Sequence, residues 1–150
     1  MQQQWKLIAG LLLAGVAASA QAQMKPEDAI QYRQGIFKAQ RWNMVAMAGM
    51  VQGRVPYDQA AFLQRAQRLD QLAKMAWDGF GAGTDAGAPT KAKAEIWSNA
   101  AGFKQAADAF QAETPKLVAA AQSGNMDQIK AAFGAVAKSC DNCHDNFRAK

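Results

Sequence analysis

Two cysteines and one histidine are the residues of this chain best suited to chemistry, and all three fall within its last eleven positions. Cys140-Asp141-Asn142-Cys143-His144 reads C-x-x-C-H, the attachment pattern for a c-type haem. Thiols three positions apart lie on neighbouring faces of one helical turn, where they reach the two vinyl groups on one edge of a porphyrin. The residue after the second thiol then turns its imidazole to the iron from below the ring, so His144 is the expected axial ligand. The chain has no other histidine, which excludes a second protein imidazole on that iron.

Other uses of the same residues are weighed by what each would require. A thioredoxin-like redox pair belongs near a helix N-terminus in an alternating strand and helix pattern, whereas this motif closes the last of several helical stretches. Structural zinc takes four protein ligands, and two cysteines with one histidine supply three unless Asp141 or Asp145 joins them. A disulfide between residues three apart on a helix has poor geometry. Haem c, one per chain and covalently attached, is the reading the spacing favours.

The N-terminal segment bears on the compartment. Lys6 supplies a positive start, and Leu7 to Ala17 is an apolar run of eleven residues, short of the roughly 20 a spanning helix needs. Small residues follow. Ala18-Ser19-Ala20 or Ala20-Gln21-Ala22 fits an A-x-A cleavage rule, giving a mature start at Gln21 or, as favoured here, at Gln23. Residues 1–22 are thus expected to be a cleaved signal peptide and residues 23–150 an exported domain in the periplasm, with no membrane attachment after cleavage. The 17 basic and 12 acidic side chains leave a formal charge of +5, scattered rather than blocked, which gives little support to nucleic-acid binding. The length suits one domain with a modest core, which a cofactor could usefully fill.

Breakers divide the mature part into four helical stretches, and no strand is expected. Pro26, followed by Glu27 and Asp28, suits a helix start, and the first helix should run to about Val51. Ile30, Phe37, Met44 and Val51 recur every seven residues along it and are assigned to the core. Asp58 opens a second helix expected to close near Trp77 to Phe80. Gly81 to Lys93 is a turn-rich connection without apolar period. The third helix is expected from Ala94 to Ser123, bent or divided by Pro115 around Glu113 and Thr114. The fourth runs from Met126 to about Arg148. An all-α, antiparallel four-helix bundle with a covalently bound haem near its C-terminus follows.

The chain resembles the cytochrome c′ family, the class II c-type cytochromes. The likeness spans the mature sequence: Lys25-Pro26-Glu27-Asp28-Ala29, Tyr32-Arg33-Gln34, Pro56-Tyr57-Asp58, Trp77, Phe80-Gly81, Glu95-Ile96-Trp97-Ser98, Phe103-Lys104-Gln105, Ala131-Ala132-Phe133-Gly134, and the C-terminal Cys143-His144-Asp145 with Phe147-Arg148. Pro115 and the extended loop before Lys91 depart from the family pattern.

The resemblance implies specific roles. The residue four beyond the matched Arg33 is Phe37, placed over the distal face of the haem, and phenylalanine has no lone pair to give the iron. Five-coordinate, high-spin iron is therefore expected, with Met44 and Met47 filling core. Arg148, four residues after His144, should border the proximal side and support a gas that displaces the histidine. It also stands where a cation complements the helix dipole. Arg33 and Gln34 would by themselves suit a solvated helix face, but the resemblance implies donors to the haem propionates or neighbours of the cavity mouth. Trp77 and Phe80 are the further apolar contacts expected, while Trp42 falls on a more polar side and suits a subunit interface.

The implied function is binding of nitric oxide and, more weakly, carbon monoxide, with buffering or sensing rather than turnover, in a homodimer built through the first and second helices. The alternative is a one-electron carrier, which needs six-coordinate iron and a redox partner protein. A haem peroxidase would want a distal histidine and arginine, and the chain has no second histidine.

Overall fold

The structure, a computed structural model, describes residues 24–150; the expected signal peptide and its cleavage site lie outside the described residues. Helix α1 spans Pro26–Val51, α2 Gln59–Leu72, α3 Glu95–Ser98, α4 Ala100–Ser123 and α5 Met126–Phe147, with a 3₁₀ turn at Ala76–Phe80. The four long helices pack as a bundle, each joined to the next by a connection that lets it return alongside. Among the described residues there is no sheet, only one isolated antiparallel bridge between Ala92 and Arg148, and no helix is long and apolar enough to cross a membrane.

Local chemistry sets the ends. Pro26 occupies the first turn of α1, where its missing N–H costs nothing, and Glu27 and Asp28 face the positive end of the dipole. Gly53, with φ of 69°, turns the chain out of α1 in the left-handed region. Asp58 caps α2 by accepting from the Ala61 N–H at 3.0 Å. Gly124 closes α4 at φ 67°, and the Asn125 side chain opens α5 by accepting from the N–H groups of Asp127 and Gln128.

Two expectations about helix continuity need correction. The second helix stops at Leu72 instead of reaching Phe80, and α1 side chains take up carbonyls along the unwound stretch. Gln40 Nε2 donates to Leu72 O at 2.9 Å, the Tyr32 hydroxyl to Met75 O at 3.0 Å and Arg33 Nη1 to Gly79 O at 2.7 Å. Gly79 permits this close approach, since a Cβ there would lie 2.8 Å from Arg33 Cβ and 2.9 Å from Ala29 O. The third helix, in turn, is interrupted at Asn99 and not at Pro115. Asn99 caps α4 by accepting from the Gly102 N–H at 3.2 Å. Helix α4 runs through Pro115. The proline cannot donate to Gln111 O; the Thr114 hydroxyl lies 3.4 Å from that carbonyl and 2.8 Å from Asp70 Oδ1, to which it ties α2.

The apolar core is built from Met47, Phe62, Leu69, Leu117, Ile129 and Val136, all fully buried, with Phe110 and small alanines between them. In α1 the buried residues are Ala29, Ile30, Arg33, Gln40, Asn43 and Met47. The expected stripe of Ile30, Phe37, Met44 and Val51 is therefore only partly core: Ile30 is fully buried, while the other three are half-buried. Gln40 and Arg33 sit inside because α1 faces backbone carbonyls of the second helix and its tail, whereas Asn43 donates back to Ala39 O of its own helix at 2.9 Å.

Candidate haem site

Cys140, Cys143 and His144 lie on the last two turns of α5. Both thiols are free and half-buried, and Cys140 packs against the apolar core. Burial pushes the Cys140 thiol up to about 11, with the charges of Asp141 and Cys143 adding to the effect, and burial raises Cys143 as well. A redox pair needs the opposite, a thiolate favoured by a helix N-terminus or a nearby cation, and these thiols sit at the C-terminal end of a helix. Zinc finds no support either, because no group of three or more histidine, cysteine or acidic side chains converges among the described residues. His144 is exposed, yet partial desolvation by its neighbours, aided by the Arg148 cation, holds its pKa below the usual range against the pull of Asp141 and Asp145. The neutral imidazole this favours is the form that ligates a metal.

Beside the motif lies a wall of rings. Phe37 on α1 stands 6.2 Å from Trp77 and 6.1 Å from Phe80, centroid to centroid. Phe80 continues to Phe103 on α4 at 4.9 Å and to Trp97 on α3 at 6.3 Å. Phe103 meets Trp77 at 5.8 Å and Phe147 on α5 at 5.3 Å. Five of these six rings are only half-buried despite packing on one another, and Phe147, three residues after His144, is the buried exception. A large flat apolar group attached at Cys140 and Cys143 fits such a surface, which the protein alone leaves partly open. The structure thus brings the expected Phe37, Trp77 and Phe80 together. It adds Trp97, Phe103 and Phe147, which the sequence marks only through the family likeness and whose spacing does not separate wall from core.

Arg33 is not a solvated residue. Its guanidinium is buried, with Nη1 donating to Gly79 O at 2.7 Å, Thr84 O at 2.9 Å and Thr84 Oγ1 at 3.2 Å, and Nη2 to Thr90 Oγ1 at 3.2 Å. It also lies 4.4 Å from the centre of the Phe80 ring and 5.7 Å from that of Trp97, a cation-π arrangement that backs the aromatic wall. Burial lowers its pKa and Asp85 partly restores it. Gln34 Nε2 donates to Pro89 O at 2.8 Å, so both polar residues grip the connection that follows the 3₁₀ turn.

Arg148 has left the helix. It is the C-cap of α5 in an extended conformation (φ −122°, ψ 131°), so its direction follows the bridge to Ala92 and not the helical register that sequence spacing suggests. Its side chain is exposed and lines an open cleft of about 320 Å³ with Lys91, Lys93, His144, Asp145 and Lys150.

A four-helix bundle whose last helix ends in C-x-x-C-H beside an aromatic wall defines a c-type haem protein of the bundle class. The chain belongs to the cytochrome c′ family, whose family model matches residues 28–148. It is 44% identical over 126 residues to a cytochrome c′ of Alcaligenes xylosoxydans xylosoxydans, covering 84% of this chain and 97% of that one. The solved cytochrome c′ of Rubrivivax gelatinosus superposes with a TM-score of 0.82 at 43% identity, over 84% of this chain and 98% of that one. Variants of cytochrome c prime from Alcaligenes xylosoxidans, one solved as a nitric oxide complex and another with carbon monoxide bound, superpose with a TM-score of 0.79 at 43% identity, over 85% of this chain and 98% of each. Family membership and the cysteine pair assign a covalently bound c-type haem to this chain.

Proposed function

We propose that this chain is a periplasmic, non-catalytic haem protein that binds small neutral gases, nitric oxide above all and carbon monoxide more weakly, for buffering or sensing. One observation carries the reading: Phe37, a side chain with no lone pair for an iron, stands on α1 in the aromatic wall against Trp77 and Phe80. The haem supplies an iron with an exchangeable ligand position. With the haem attached at Cys140 and Cys143, His144 would offer the iron its imidazole lone pair, and Phe37, which has none to offer, would leave a ligand position open. Arg148, beside His144 in the same cleft, supplies a cation for a small polarised ligand on the proximal face. Arg33, Gln34, Trp77 and Phe80 hold the distal wall in place.

The electron-carrier alternative draws no support from the methionines. Met47 is fully buried in the bundle core and Met44 packs against that core. An apolar strip on the outer face of α1, with Trp42 73% and Val45 56% exposed and Val55 folded back on Gly49, supports the homodimer through the first two helices. The periplasmic assignment rests on family membership and the expected cleavage near Ala22.

Titrating the reduced, haem-loaded protein with each gas tests the proposal. Nitric oxide is expected to bind and to displace His144, giving an absorption and paramagnetic resonance signature without histidine nitrogen coupling, and carbon monoxide to bind weakly. Tight carbon monoxide binding with no response to nitric oxide would contradict it.

A further inference from the structure

We infer that the segment Thr90 to Lys93 is a strap that holds Arg148 beside His144, and that Thr90 and Lys93 are positioning residues for gas capture on the proximal side. The inference rests on the gas-binding reading above and extends it to residues outside the aromatic wall and the attachment motif.

The strap is defined by its hydrogen bonds. Thr90 Oγ1 accepts from Arg33 Nη2 at 3.2 Å and from the Ala92 N–H at 3.1 Å, which occupies both of its acceptor positions. Ala92 then bridges Arg148, flanked by two backbone bonds: Lys93 N–H to Phe147 O at 3.1 Å and Ala149 N–H to Lys91 O at 2.8 Å. Lys93 Nζ donates to Asp145 O at 3.1 Å and Asn146 O at 3.3 Å. Those carbonyls belong to the last turn of α5, which has no helical donors left for them, and a cation there also opposes the negative end of the dipole.

The path through these bonds has two ends. One is Arg33, a single helical turn before Phe37 on α1. The other is Arg148, whose own N–H still bonds to His144 O at 3.1 Å. Arg148 is exposed with an extended backbone, so burial does not fix it and that one bond is the hold α5 keeps on it. Backbone clamping by residues 91–93 is what remains to do so. The same threonine that anchors the strap is held by the buried guanidinium behind the distal wall, so the two faces of the site share one mechanical support.

The test uses the haem-loaded, reduced full chain with Thr90→Val, which keeps shape but removes the acceptor, Thr90→Ser, which restores it, and Lys93→Met, which removes the cap together with one cation of the cleft. Amide hydrogen exchange at Lys93 and Ala149 reads the strap; the rate at which nitric oxide displaces His144 reads its consequence. Thr90→Val should speed exchange at both amides and slow displacement roughly fivefold, the loss of about one hydrogen bond's worth of positioning. Thr90→Ser should recover both, and Lys93→Met should act in the same direction. Faster exchange with an unaltered displacement rate would reduce the strap to scaffolding and overturn the inference, as would unchanged exchange. If the parent protein shows no displacement of His144, the gas-binding reading itself fails and the inference goes with it.

Discussion

The two ends of the bundle are closed in different ways. At one, Met47, Phe62, Leu69, Leu117, Ile129 and Val136 are fully buried against one another, and protein side chains alone complete the interior. At the other, Phe37, Trp77, Phe80, Trp97 and Phe103 pack ring against ring yet stay half-buried, while a buried arginine and a connection rich in turns hold them from behind. Apolar area kept from water is the main stabilising term in folding, so a surface of large rings left partly open is what a second apolar body must cover. The contrast separates residues that build the bundle from residues that build the site.

The largest effect falls where that second body is attached. Cys140→Ser combined with Cys143→Ser should abolish retention of haem after acid-acetone extraction, whereas the parent protein should retain it fully and show no titratable thiol. Extractable haem in the parent would remove the distinction between the two ends.

Paired truncations sharpen the comparison next. Leu69→Ala, in the closed end, should cost about 2–5 kcal/mol in urea unfolding of the haem-loaded protein and leave the haem absorption bands in place. Phe103→Ala, in the wall, should cost less than about 3 kcal/mol because its ring is half-buried, yet shift those bands. Equal spectral responses would mean that the two ends are not functionally distinct.

Phe37→Ala should have the smallest effect on stability and a clear one on ligand choice. Its ring is half-buried, so the loss should be about 1–2 kcal/mol, below the cost of truncating a fully buried phenylalanine. Carbon monoxide affinity should rise as the distal side opens, which equilibrium titration measures; an unchanged affinity would mean that another residue covers that face.

What the sequence made legible follows the same division. Helix ends written in strong local chemistry were readable: Pro26 with its two acids, Asp58, and the Ser123-Gly124-Asn125 stop and restart all stand where the structure has them. The attachment motif was readable because its spacing has few other uses. Apolar periodicity, by contrast, is blind to buried polar groups. It assigned Phe37, Met44 and Val51 to the core stripe and could not show that Arg33, Gln40 and Asn43 are buried instead. Pro115 was expected to bend or divide the third helix; it does not divide it, since a proline removes one bond and the Thr114 contact to Asp70 ties this stretch to α2. The clamp on Arg148 was not visible at all, since it joins backbone groups more than fifty residues apart.

The central claim is that one protein ligand, His144, holds the iron while Phe37 stands on the other side. Resonance Raman spectroscopy of the reduced protein without added gas tests it most directly. Five-coordinate, high-spin markers with an iron–histidine stretch that disappears on addition of nitric oxide are the predicted result. Low-spin, six-coordinate markers in the resting protein would contradict it, since a second side chain would then reach the iron from the face assigned to Phe37.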